Sequence, residues 1–196
     1  ELNRMAPDDR LIQQSLRALD FLTVHDGMTI TGGAGQWEIW TEDQDGVHAL
    51  GETCATAYQL RVYEGLFRQT NDFYFGDLIE RTMYNALFGA QSPDGRRIRY
   101  YTPFEGGREY YQGDTYCCPN NYRRIIAELP SMIYYRTPED VVAINLFTSS
   151  TGHIDLGPRG SVSIKQETQY PNSGIVTIEV NPSKSMQMAI RIRIPG

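Results

Sequence analysis

Residues 119–148, PNNYRRIIAELPSMIYYRTPEDVVAINLFT, carry the change of hydrophobic period that decides the fold. Tyr122, Ile125, Ile126, Leu129 and Ile133 recur at helical spacing, with Pro119 suited to a first helical position. Pro130 removes an N–H and should kink or restart that helix. Beyond Pro138 the period becomes two, and Val142–Thr148 reads as a strand.

The same division extends outward. Upstream, Pro7–Leu22 places Leu11, Leu16, Leu19 and Leu22 on one face, with Asp8 and Asp9 where a helix dipole favours anions. Thr53–Arg68 and Phe73–Ala90 carry broad apolar stripes, and Asn71-Asp72 caps the second of them. Arg97–Thr102 reads as short and extended. Downstream, Val162/Ile164, Val176/Ile178/Val180 and Met186 to Ile194 alternate with polar residues. Turns at Gly157–Gly160, Pro171–Gly174 and Asn181–Ser183 separate them. These observations predict an α+β chain in two parts: a helical part over 1–136 and the start of an antiparallel β-sandwich over 137–196.

Composition narrows the function classes. The chain has 196 residues, a net charge of -6 and 40% hydrophobic residues, which is a globular composition. No apolar run approaches the ~18–20 residues of a membrane span, and no signal peptide is visible. The acidic balance, with Arg96-Arg97-Arg99 as its one basic cluster, argues against nucleic acid as partner. About four wide-striped helices are too few to cover one another, and both ends read as cut. The expectation is part of a larger enzyme whose exposed helix faces are covered by a missing N-terminal segment or by self-association.

Cysteine usage carries the chemistry. Three cysteines, two of them adjacent, make no disulfide framework, and a reducing, cytoplasmic compartment suits them. Glu52-Thr53-Cys54 precedes one helix and Cys117-Cys118 another. Together they supply one carboxylate and three thiols, a donor set zinc accepts in tetrahedral geometry. On a regular helix Glu52 and Cys54 would diverge by roughly 200°; an extended or helix-entry segment lets both face one way. The spacing is no zinc finger. From the residues alone, Cys54 packed in a helix interface and a cysteine pair lining a loop are the better account.

Five motifs in order resemble glycoside hydrolase family 127, the β-L-arabinofuranosidases and their bacterial relatives. They are Gly51-Glu52-Thr53-Cys54-Ala55, Tyr84 to Gln91, Tyr101-Thr102-Pro103, Cys117-Cys118-Pro119-Asn120-Asn121 and Asn145-Leu146-Phe147, followed by the Arg191–Pro195 strand. The resemblance covers residue 28 onward and implies the later helices of an (α/α)6 barrel followed by a β-sandwich. It implies a retaining glycosidase with zinc held by Glu52, Cys54, Cys117 and Cys118, Cys117 as nucleophile, and a glycoside or oligosaccharide as substrate. It further implies a glutamate acid/base after the glycine turn Gly32–Gly35: Glu38, with Glu42 as competitor. Trp37 and Trp40 flank Glu38, and Tyr100, Tyr101, Tyr110, Tyr111 and Tyr116 crowd the approach to the cysteines, where sugars stack on aromatic faces. A different sugar specificity, or a non-catalytic sugar-binding protein with a vestigial metal site, are the alternatives. The fragment alone is expected to turn over little.

Overall fold

The computed structural model describes residues 2–25, 27–37, 39–40, 49–113 and 115–196. It divides into two compact units, Glu1–Ala127 and Glu128–Gly196.

The first unit is helical. After a short α1 (Leu2–Met5), α2 (Asp9–Val24) starts at Asp8, whose carboxylate accepts from the Arg10 N–H at 3.0 Å. Helix α3 (Thr53–Thr70) ends at Asn71, which takes the left-handed conformation and returns its N–H to the Phe67 carbonyl. Asp72 then caps α4 (Phe73–Thr82), accepting from the Tyr74 N–H at 3.0 Å. The stripes read from the sequence face inward: Leu60, Tyr63, Leu66 and Phe67 of α3 and Leu78 and Ile79 of α4 are buried.

The stretch expected to be helical to Ala90 is so with a change of pitch. After Thr82 it widens into a π-helical turn (Met83–Leu87) and then tightens to 3₁₀ (Phe88–Ala90). The Asn85 side-chain amide donates to the Arg81 carbonyl at 2.9 Å, the group that the Asn85 backbone N–H would take in an α-helix. Helix α5 (Cys117–Glu128) stops two residues before Pro130, and the chain continues as a 3₁₀ turn (Leu129–Met132). Proline has no N–H to offer the ladder there.

The second unit holds two three-stranded sheets. One contains β1 (Tyr134–Arg136), β2 (Val142–Ile144) and β6 (Ile190–Ile192), the other β3 (Ser150–Asp155), β4 (Ser161–Thr168) and β5 (Val176–Pro182). All pairings are antiparallel except β2–β6, which is parallel, with Val142 opposite Ile190. Val142, Ile144, Phe147, Leu156, Val162 and Ile164 form the shared core. Gln166, inward on β4, donates to the Leu146 carbonyl and the Tyr134 hydroxyl at 3.2 and 3.0 Å, which accounts for its amide N–H groups being buried. Arg193 is buried too, its Nε donating to the Asn145 carbonyl at 2.8 Å.

Candidate metal centre

The site is assembled from two helix entries and an extended segment of the first unit. Residues 50–53 run antiparallel to 99–102. Glu52 bridges to Tyr101, the Thr53 N–H donates to the Tyr100 carbonyl at 3.0 Å, and the Thr53 hydroxyl donates to the Arg99 carbonyl at 2.7 Å. Glu52 is therefore extended (φ -62°, ψ 127°) at the N-cap of α3, with Cys54 in the first helical turn. This resolves the divergence that a continuous helix would impose on the pair: the backbone turns between them.

The glycine turn supports the same segment. The Glu52 N–H donates to the Gly35 carbonyl at 3.2 Å. Gln59 and Thr82 both donate to the Gly32 carbonyl at 3.0 Å, tying the turn to α3 and α4. Gly35 has φ +88°, and a Cβ there would lie 2.6 Å from the Ala55 Cβ. A side chain fits neither the conformation nor the space.

The three thiols converge. The sulfurs of Cys54, Cys117 and Cys118 all lie within 4.8 Å of one another. Cys118 Sγ is 3.1 Å from Cys54 Sγ and 3.9 Å from a Glu52 carboxylate oxygen. Glu52, Cys54 and Cys118 are buried, while Cys117 is half-buried. Burial pushes the Cys118 thiol well above its ordinary range, and the neighbouring Cys54 sulfur adds to the rise. The Cys54 thiol is pushed up by burial as well.

The two buried thiols, Cys54 and Cys118, beside a buried carboxylate are costly to ionise without a compensating cation. The donor set fits zinc: bond lengths of ~2.3 Å in a tetrahedron place sulfurs roughly 3.8 Å apart, inside the observed span.

Beside the thiols opens a cleft of about 510 Å³ lined by Trp37, Glu52, Tyr100, Tyr101, Tyr111 and Tyr116. The Tyr100 hydroxyl lies 3.0 Å from Cys117 Sγ. Burial, then the Cys117 contact, raises the Tyr100 phenol; burial, then the Glu52 charge, pushes Tyr101 up to about 12. Both phenols stay protonated at neutral pH and offer O–H groups to the cleft. Trp37 stands against Tyr101 with ring centres 5.8 Å apart, whereas Trp40 stacks on Phe21. Of the crowded tyrosines, Tyr110 is not among the residues lining the cleft; its ring meets the guanidinium groups of Arg97 and Arg99 at 4.7 and 4.3 Å. Glu38 and Glu42 lie outside the described residues.

Asn121 was legible only as part of a motif. Its amide donates to Cys54 Sγ at 3.2 Å. The signal was its place on α5, three residues after Cys118 and four after Cys117, hence on the same helix face.

The family model for the β-L-arabinofuranosidase GH127 catalytic domain matches residues 2–131. The chain belongs to glycoside hydrolase family 127. The GH127 middle-domain model matches residues 141–196. Among solved structures, a GH127 β-L-arabinofuranosidase from Geobacillus stearothermophilus T6 superposes with a TM-score of 0.87 at 29% identity, covering 100% of this chain and 33% of that one. A structure described as a glycoside hydrolase gives a TM-score of 0.69 at 22% identity, over 86% of this chain and 33% of that one, and speaks for the fold alone. No curated protein matches. The family 127 chain thus spans about a third of the solved relatives' length, with barrel helices followed by one mixed and one antiparallel sheet. No helix among its described residues is long and apolar enough to cross a membrane.

Proposed function

We propose that this family 127 chain carries the nucleophile half of a retaining glycosidase that releases L-arabinofuranose-like residues. The observation that carries the reading is the convergence of Cys54, Cys117, Cys118 and Glu52 at the foot of an aromatic cleft. Glu52, Cys54, Cys117 and Cys118 would hold zinc, whose charge, when bound, keeps the thiols ionised at neutral pH.

Of the three sulfurs, Cys117 is the one that is not buried, and it sits beside the cleft-lining Tyr100. Its thiolate attacks the anomeric carbon as the bond to the leaving oxygen breaks, and the Glu38 carboxyl, or Glu42 in its place, protonates that oxygen. The resulting carboxylate then takes a proton from water. The water oxygen bonds to the anomeric carbon and the Cys117 thiolate departs. Two displacements at one carbon return the original configuration. Tyr100 and Tyr101, protonated, can bond sugar hydroxyls, and Trp37 and Tyr111 supply faces for stacking.

A second feature supports the partner reading. A groove of about 780 Å³ is lined by Leu2 and Asn3 of α1, Leu11 and Ile12 of α2, and Tyr58 and Val62 of α3. Tyr58 and Val62 are exposed there. We assign this face to the remaining barrel helices of the full-length protein, with 1–136 as barrel and 137–196 as sandwich, a division that falls between the two matched ranges. A reducing compartment suits the three free thiols.

The experiment is trapping on the full-length enzyme with an activated aryl β-L-arabinofuranoside. Zinc near one equivalent, a glycosyl adduct on the Cys117 peptide and product of retained configuration are the expected results. An inverted product, or an adduct on another residue, would overturn the assignment.

A further inference from the structure

We infer that Asn121 is a positioning residue of the metal centre, fixing the Cys54 sulfur as a spectator ligand. The inference rests on the metal reading above and concerns the division of roles among the three thiols. Each sulfur has a different environment. Cys118 is fully buried among protein groups. Cys117 faces the Tyr100 hydroxyl at 3.0 Å. Cys118 also takes a backbone hydrogen bond from Cys54. Cys54 receives a side-chain amide, the Asn121 Nδ2 at 3.2 Å.

The orientation of that amide has its own anchor. The Asn121 Oδ1 faces Arg124 Nη1 at 3.5 Å, one turn further along α5, a long contact that suits an amide with its N–H₂ end turned to the sulfur. Because α5 carries Cys117 and Cys118 in its first turn, one rigid element supplies two ligands and the donor that orients the third. An N–H···S bond draws electron density from Cys54 and fixes its rotamer, as outer-shell donors do at metal sites. The reactive thiolate character then stays with Cys117.

The test uses full-length enzyme, with zinc affinity measured by competition against a chromophoric chelator and the sulfur-to-metal charge-transfer band recorded after cobalt(II) substitution. Asn121→Leu keeps the bulk without the donor. It should weaken zinc binding by about 10- to 100-fold, the usual cost of losing an outer-shell partner. The charge-transfer band should move to lower energy as the sulfur becomes more electron-rich, a shift that a packing defect alone does not produce. Asn121→Asp, nearly isosteric, carries the test should leucine not be accommodated: a carboxylate facing the thiolate should weaken zinc further than leucine does. Arg124→Ala should give a smaller shift of the same sign. A folded Asp variant with parental zinc affinity and an unmoved band overturns the inference while leaving the metal reading intact. A parent enzyme that takes up neither metal overturns both.

Discussion

The hydroxyl of Tyr100 lies 3.0 Å from the sulfur of Cys117, and the Tyr100 side chain lines a cleft with Trp37, Glu52 and three further tyrosine rings. When Cys117 is a thiolate, Tyr100 can only donate. When the sulfur carries a sugar, that bond weakens, and it re-forms as the thiolate departs.

Tyr100→Phe should therefore slow the second displacement more than the first. A hydrogen bond to a charged partner contributes ~1.5–3 kcal/mol, which corresponds to a loss of roughly 10- to 100-fold in kcat. With an activated aryl glycoside in the full-length enzyme, the burst should persist and the glycosyl-enzyme accumulate, with zinc content unchanged. A variant whose burst and steady-state rates fall together would show Tyr100 acting on binding alone.

Metal uptake should depend on pH with a definite sign. Burial raises the Cys54 and Cys118 thiols above their ordinary range, so the metal-free protein holds both protonated at pH 7. Zinc binds thiolates, and ligation must displace those protons. Affinity should rise steadily from pH 6 to pH 9, and calorimetry in buffers of different ionisation enthalpy should count about two protons or more released per zinc. Affinity that is flat across this range would mean that the cysteines are not the ligands.

Much of the architecture is written in periodicity. Leu60, Tyr63, Leu66 and Phe67 lie at helical spacing and are buried on α3, and Val162 and Ile164 alternate inward on β4. Two strands escape that signal. Strand β3, Ser150–Asp155, has Ile154 as its one aliphatic residue, and its Gly152 lies against the Tyr134 ring, so packing rather than composition makes it a strand. Strand β1, Tyr134–Arg136, is a three-residue continuation of the chain leaving the 3₁₀ turn. Met186 to Ile194 alternates throughout, yet only Ile190–Ile192 pairs, parallel to β2. Alternation reports which face is apolar, not which partner offers its hydrogen bonds. In the site, the four donors were visible as two dipeptide-scale motifs. Their convergence was not, because it depends on the 50–53 and 99–102 segments pairing across some 46 residues of sequence. Tyr100 and Asn121 gain their contacts from that pairing and from the pitch of α5: Tyr100 was legible as one of several tyrosines near the cysteines but not as the one that meets Cys117, and Asn121 carries no residue-type signal of its own.

The pairing also makes Gly35 sensitive. Gly35→Ala puts a Cβ 2.6 Å from that of Ala55 at φ +88° while its carbonyl holds the Glu52 N–H. Strain of this kind costs on the order of 1–3 kcal/mol. Thermal melts should show a lowered midpoint, and zinc affinity should fall with it because Glu52 is displaced. Adding Ala55→Gly should recover part of the loss, since it removes the clash but not the unfavourable φ. Full recovery would mean that the backbone conformation is unstrained for alanine; no recovery would place the whole cost in φ.

The last expectation concerns the partner of Cys117. The nucleophile and the acid/base must approach one anomeric carbon from opposite sides of the scissile bond. Retaining carboxylate pairs stand about 5–5.5 Å apart, and a thiolate, with its longer bonds, needs similar or slightly greater room. Cys117→Ser in the full-length enzyme should abolish the glycosyl-enzyme, because a hydroxyl is a poorer ligand and nucleophile at neutral pH. Glu38→Gln should behave differently. Substrates with poor leaving groups need protonation and should lose the most. Activated aryl glycosides should still form the intermediate, which then hydrolyses slowly for want of a base. Added azide, which needs no base, should restore turnover on those activated substrates and yield the glycosyl azide. If Glu38→Gln leaves both steps intact while Glu42→Gln produces this pattern, the acid/base is Glu42. If neither substitution matters, the proton donor lies on the barrel helices outside this chain, and these 196 residues contribute the nucleophile Cys117 with Tyr100 beside it.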